Sequence, residues 1–217
     1  MQSIIKYNPI NLIDNEKASL FFDVRHIIGL AVATTLSLSM LTACDDDDDD
    51  LTETVDDADD SSSATAGIAV DLGLSVKWAT VNIDATLPAD YGNYYAWGET
   101  ETKDEYSLDN SVTYGDSSFG DISGDATYDA ATANWGSSWR MPTQTECQEL
   151  VDDCTWTWTT QENSDGEYIK GYLVEGTNSN SIFLPAAGYR YGSSLYRAGT
   201  SGDYWSSTPY ASGSYYA

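Results

Sequence analysis

All seven tryptophans and fifteen of the sixteen tyrosines of this 217-residue chain lie beyond Gly67, while the preceding stretch Asp45–Asp60 holds eleven acidic residues and no basic one. A chain folds where it can bury apolar and aromatic surface; like charges at such density repel one another and stay solvated. Folding is therefore expected in residues 67–217, with residues 44–66 as an extended acidic tether.

The formal charge of −26 is carried beyond residue 44, and residues 67–217 alone hold twenty-one acidic against six basic residues. Binding to phosphate backbones needs Lys and Arg to replace released counterions, so a nucleic-acid partner is excluded on charge.

Residues 1–43 read as a polar N-terminal extension followed by an export signal. Arg25 and His26 precede an uncharged run from Ile27 to Leu41, fifteen residues long, where a spanning helix needs about 20. Its end, Leu41-Thr42-Ala43-Cys44, resembles the lipobox of bacterial lipoproteins. That resemblance implies cleavage before Cys44, lipid on that cysteine, and a membrane partner reached through the lipid. Plain secretion after an A-x-A-like site is the other reading. Acidic residues after a lipidated cysteine resemble the surface-display signal of Bacteroidetes lipoproteins, which implies an envelope location, on the outer membrane and facing out. A simple spacer would look the same.

Short strands dominate the pattern beyond Gly67. "LSVKWATV" and "NYYAWGE" are rich in β-branched and aromatic residues, and "CTWTWTT" alternates Trp156 and Trp158 against Thr155, Thr157 and Thr159. "NSDG" and "TNSNS" mark turns that lead into "EYIKGYLVEG" and "SIFLPAAGYR", so these strands are expected to run antiparallel in succession. "YDAATANW" reads as a short helix.

The segment "SSWRMPTQTECQEL" carries a helix start. Thr143 and Glu146 have the T-x-x-E spacing of a capping box, Pro142 precedes the cap, and Met141 is pushed toward extended geometry. The spacing predicts a strand end over Trp139–Met141 and a helix over 144–152, with Cys147, Leu150 and Val151 on its buried side. Arg140 is expected to pair with a carboxylate at this junction. With no nucleophile or phosphate loop beside it, the cluster reads as structural and not catalytic.

Five blocks, "VDLGLSVKWAT", "DYGNYYAWGET", "WRMPT", "IFLPAAGYR" and "YWSST", occur in the order found in the Fibrobacter succinogenes major paralogous domain family, and the chain resembles that family over residues 69–217. "WRMPTQTE" is also similar to a block of the formylglycine-generating proteins. The resemblance implies an α+β fold of C-type-lectin-like architecture: a small helix or two, short twisted antiparallel strands and long loops. It also implies a structural place for Trp205 within "YWSST". The chain departs from the family at "NIDA", residues 82–85, where an N-V-G-A-like turn is usual, and it ends at Ala217 where members continue through a further strand. Such an ending is expected to mark either a C-terminally truncated fragment or a domain with an open sheet edge that self-associates or captures a partner strand.

The only histidine is His26, inside the signal, which removes histidine-based nucleophilic catalysis and histidine-ligated zinc from the mature protein. Cys147 and Cys154 read as buried and unreactive. The formylglycine-generating proteins depend on late cysteines, and none follows Cys154, so their activity does not carry over; the expectation is a non-enzyme. Glu99, Glu101, Asp104 and Glu105 crowd one loop and leave a carboxylate hydrolase as the least favoured reading. No cofactor is expected. Asp152, Asp153, Asn163, Asp165 and Glu167 offer calcium-type oxygens, in no EF-hand spacing.

Binding remains. Residues 189–216 are built of Tyr, Trp, Arg, Gly and Ser, a mix that gives large contact area at low entropy cost together with adaptable hydrogen bonds. Tyr191, Tyr196, Arg197 and Tyr210 are the candidate contacts for a glycan or protein ligand. A structural envelope lipoprotein without a dedicated ligand is the alternative.

Overall fold

Strand length in this protein follows the alternation of β-branched and aromatic residues. A computed structural model describes residues 5–6, 22–23, 66–116 and 118–209. Its strands, in chain order, are β1 Ile5–Lys6, β2 Phe22–Asp23, β3 Ala69–Asp71, β4 Lys77–Ala79, β5 Thr155–Glu162, β6 Tyr168–Glu175, β7 Ser181–Pro185, β8 Tyr189–Tyr191, β9 Ser194–Tyr196 and β10 Asp203–Trp205. Two helices, α1 Ala130–Trp135 and α2 Gln144–Asp153, and a 3-10 turn at Leu108–Asn110 complete the described elements. Every pairing between these strands is antiparallel, so the fold is α+β.

The longest strands form one sheet in the order β5-β6-β7. Asn163 makes the first turn: its side-chain oxygen accepts from the amides of Asp165 and Glu167, and its carbonyl accepts from Gly166 at 3.1 Å. This local hydrogen bonding is why Asn favours turns. The register then lines up Trp158, Tyr172 and Leu184 across the three strands, and Trp156, Val174 and Ile182 beside them. Tyr172 packs edge-on against both tryptophans, with ring centroids 5.6 Å from Trp156 and 4.8 Å from Trp158.

Period-two alternation also divides the core. On β4, Trp78 enters a cluster with Leu72, Leu150 and Val174, while its neighbour Ala79 enters a second cluster with Trp97, Trp135, Trp139 and Met141. On β10, Tyr204 joins the first cluster and Trp205 the second. Successive residues of a strand point to opposite sides, so these two strands separate the clusters. β10 is flanked on its two sides by β1 and β2, with Ile5 opposite Trp205 and Phe22 opposite Tyr204.

Two expected strands are irregular. In "NYYAWGE" the aromatic residues are buried, but residues 91–96 pair with no strand. Their polar tips reach out instead: the Tyr94 hydroxyl donates to the Ala187 carbonyl at 2.7 Å and the Trp97 indole to the Ser206 carbonyl at 2.9 Å. Trp139–Met141 is likewise no strand end. The Met141 amide donates to the Asp129 carboxylate at 2.9 Å, and the Trp139 carbonyl accepts from the Thr132 hydroxyl at 2.8 Å. Side chains satisfy the backbone that a ladder would otherwise serve. Helix α2 runs one residue beyond the expected 152, to Asp153, and of its expected buried side Leu150 is fully buried while Cys147 and Val151 are half-buried.

Candidate functional site

The hairpin β8–β9 turns at Gly192 and Ser193. Gly192 has a φ of 56° in the first central position, where a II′ hairpin turn calls for glycine. Tyr106 braces the tip by exchanging two backbone hydrogen bonds with Gly192, at 2.9 and 2.8 Å. The base of the hairpin is held at Gly188, whose φ is 63° and where a Cβ would meet the Tyr196 carbonyl and the Ala198 amide. No other residue fits that approach.

Register decides what the hairpin shows. Tyr189 lies opposite Tyr196 and Tyr191 opposite Ser194, so these four side chains share one face, with Arg190 and Leu195 on the other. Tyr189 is buried and stacks on Tyr196 at 5.5 Å with 18° between the rings. Tyr191, Leu195 and Tyr196 remain 46%, 41% and 43% exposed. Arg197 lies 5.7 Å over the Tyr189 ring, and Arg190 lies 5.3 Å over the Tyr94 ring, both within cation–π range.

Arg197 occupies a left-handed conformation, φ 59°. Its carbonyl accepts from the Thr200 amide at 3.0 Å, the Thr200 hydroxyl at 2.8 Å and the Ser201 amide at 3.1 Å. Those three bonds hold a backbone shape that a side chain disfavours. The structure thus brings Tyr191, Tyr196 and Arg197 onto one hairpin, and Tyr210 lies outside the described residues. Arg190 and Tyr106 are not singled out by the sequence; the approach of Arg190 to Tyr94 and of Tyr106 to Gly192 depends on which loops meet the hairpin.

The "WRMPTQTE" segment is a junction. Thr143 caps α2 by accepting from the Glu146 amide at 3.3 Å, and the Glu146 carboxylate accepts from the Thr143 amide at 2.7 Å. Arg140 closes on the same carboxylate with two bonds, of 3.0 and 2.6 Å. Burial pushes the Glu146 carboxyl up, but the hydrogen bonds from Arg140 and Thr143 outweigh it and bring the group down to about 2. The "YWSST" block docks here: the Ser207 amide donates to the Pro142 carbonyl at 2.8 Å and the Gln144 amide to the Thr208 hydroxyl at 3.1 Å.

Beneath the junction sits Asp129, fully buried. Its carboxylate accepts from the amides of Ala131, Thr132, Gly124 and Met141, at 2.9, 3.1, 2.8 and 2.9 Å. It caps α1 and ties that helix to the strand-like segment before α2. Sequence reasoning missed it, although an Asp immediately before a helical run is a start signal.

Other candidates separate. Glu99 is buried in an ion pair with Lys103 and accepts from the Val112 amide at 2.9 Å, a structural use of its carboxylate. The oxygens proposed for calcium fall in two groups at opposite ends of β5; ten residues from Asp153 to Asn163 span about 30 Å of strand, so they cannot surround one ion. Among the described residues no group of three or more His, Cys, Asp or Glu could hold a metal. Cys147 and Cys154 are free thiols, and burial pushes the Cys147 thiol up to about 12, which makes it a poor nucleophile. Among the described residues no helix is long and apolar enough to cross a membrane.

Comparison of the chain with protein-family models, curated proteins and solved structures returned no match.

Proposed function

We propose that this protein is a cell-envelope lipoprotein, anchored through lipid on Cys44 and presenting a C-type-lectin-like module that binds a glycan or protein ligand. The observation that carries the binding reading is the hairpin: exposed Tyr191 and Tyr196 on the face of the stacked Tyr189–Tyr196 pair, with Arg197 over the Tyr189 ring and exposed Leu195 on the opposite face. Aromatic faces suit the apolar faces of sugar rings and the flat surfaces of proteins alike, and a rigid tyrosine gives contact area with little entropy to lose. A guanidinium beside them supplies forked donors for hydroxyl or carboxylate groups. The hairpin is held at both ends, by Tyr106 at the tip and by Gly188 at the base, so its shape is set before a ligand arrives.

Lipid attachment is proposed from Leu41-Thr42-Ala43-Cys44 at the end of a short apolar run; cleavage before Cys44 would remove β1 and β2 from the flanks of β10, and the acidic stretch that follows would set the module away from the membrane. The lipoprotein form carries several acyl chains, enough for stable anchoring where one chain anchors only marginally.

A glycan array and a panel of surface proteins, probed with the full chain carrying Cys44→Ser, test the binding reading. Signal that drops at least tenfold in Tyr191→Ala and Tyr196→Ala supports it. Binding unchanged in both variants, or no binding on either panel, favours an envelope protein without a dedicated ligand.

A further inference from the structure

Among the described residues strand β5 is an edge. In the sheet order β5-β6-β7 it pairs with β6 alone, and among the described residues no other strand meets its outer side. It is eight residues long, and within it Thr155–Gln161 carry no charge, proline or glycine. Every second residue of such an edge turns its amide and carbonyl outward, about four residues in all. Proteins usually blunt an edge of this kind with a central lysine, a proline or a bulge; β5 carries none of these.

Its two faces are distinct. Trp156 and Trp158 stand on one side, where Trp158 is 43% exposed and its ring rests on Tyr172. Thr155, Thr157 and Thr159 stand exposed on the other. The flanks are acidic: Asp152 and Asp153 are exposed just before the strand, and Glu162, Asp165 and Glu167 are exposed at its far end. Across β5, β6 and β7 the only base is Lys170, on β6 opposite Thr160.

We propose that the outer edge of β5 receives an additional antiparallel strand from a partner protein, a segment uncharged and β-branched or aromatic in its middle with basic residues at both ends. The incoming backbone would add to the outer edge about Trp158 and Thr160, and alternate side chains would pack on Trp158 or beside the threonines. Charge chooses the occupant. A second copy pairing about Trp158 would set Glu162 opposite Cys154, next to Asp153, and would repeat that clash of carboxylates at the other end. A strand with basic ends meets an opposite charge at each end instead. This surface is separate from the β8–β9 hairpin and does not depend on the function proposed above.

The test uses the full chain and two synthetic peptides of about twelve residues, in length enough to span the edge. Both have an alternating valine-threonine core; one has Lys-Arg at each end and the other Glu-Asp. The expected result is at least tenfold slower amide exchange across residues 155–162 with the basic-ended peptide, weakened by added salt, and no slowing with the acidic-ended one. Thr157→Lys, and independently Thr159→Lys, should reduce that binding at least tenfold while leaving exchange in β6 and β7 unchanged, and Tyr191→Ala should not affect it. Equal protection by both peptides, protection by neither, or protection without peptide in a chain that sediments as a dimer would overturn the proposal.

Discussion

Arg140 and Glu146 face each other fork to fork, Nη1 to Oε2 at 3.0 Å and Nη2 to Oε1 at 2.6 Å, across the first turn of α2. The same carboxylate takes the Thr143 amide and hydroxyl, at 2.7 and 2.8 Å. One side chain thus joins the helix start to the segment before it. Because the folded Glu146 carboxyl sits near 2 and its ordinary value is 4.5, its contribution is complete above about pH 4.5 and is lost as pH falls toward 2. After discounting for solvent screening the contribution is about 1.5 kcal/mol. Urea unfolding at pH 6 and pH 3 should show a loss in the wild-type chain that Glu146→Gln shares only in part; identical pH slopes in both would show that the pair does not set acid stability.

Asp129 is the more expensive residue to remove. Four amides from three segments converge on its carboxylate, those of Ala131, Thr132 and Met141 in buried bonds and that of the exposed Gly124 in a part-buried one, and leaving buried donors unmet costs about 1–3 kcal/mol each before relaxation. Asp129→Ala should therefore destabilise by about 3 kcal/mol or more, whereas Thr143→Ala, which loses a partly exposed cap, should cost about 1 kcal/mol. The two losses compared by denaturant midpoint at fixed pH decide the ranking. A Thr143 loss equal to that of Asp129 would reverse it.

What the sequence disclosed was local. The capping box at Thr143 and Glu146 is visible because both partners lie within four residues, and β5, β6 and β7 are visible because strand-forming residues are separated by the turn signals NSDG and TNSNS. The aromatic run Tyr94–Trp97 misled because strand propensity measures fit to a half-buried pleated surface, and these residues are fully buried with their polar tips bonded to Ala187 and Ser206, about a hundred positions away. At the hairpin, Tyr191 and Tyr196 were legible from composition. The brace by Tyr106 and the stacking of Arg190 on Tyr94 depend on tertiary approach, and no spacing encodes that.

Asp84 stands in the "NIDA" turn with φ 61°, a left-handed conformation that costs a non-glycine residue about 1 kcal/mol. Its carboxylate accepts from the Tyr95 hydroxyl at 2.6 Å and from the Asn93 side-chain Nδ2 at 3.0 Å. Burial raises the Tyr95 phenol above its usual range, and the bond to Asp84 raises it further, so the hydroxyl stays protonated and donating. Asp84→Gly relieves the backbone but strands a buried hydroxyl, for a net loss of about 1 kcal/mol. Adding Tyr95→Phe should restore most of that loss. A double-mutant cycle with no coupling would mean that the hydroxyl finds another acceptor.

Lipid attachment at Cys44, part of the proposed function, predicts that Cys44→Ser abolishes palmitate labelling and releases the protein from membranes. If several acyl chains are attached, as proposed, anchoring is stable where one chain would be marginal, so the wild type should fractionate with membranes and Cys44→Ser with the soluble fraction. Labelling that persists in Cys44→Ser would refute the anchor and leave the hairpin reading to stand on its own test.

Arg197 allows fold and binding to be separated. Its φ of 59° suits glycine, so Arg197→Gly removes backbone strain while it removes the guanidinium from the Tyr189 ring, a contact worth about 0.5–1 kcal/mol at an exposed site. The two effects oppose, and stability should change by less than about 1 kcal/mol. Arg197→Val forces a β-branched residue into the same conformation and should cost about 1–2 kcal/mol. If the guanidinium meets the ligand, the glycine variant folds as well as the wild type yet binds at least tenfold more weakly to the array probe that the wild type selects. If Arg197 serves only the turn, the glycine variant binds as the wild type does and the valine variant alone is impaired, through its fold. Melting and binding measured on the same three proteins distinguish a contact residue from a turn residue.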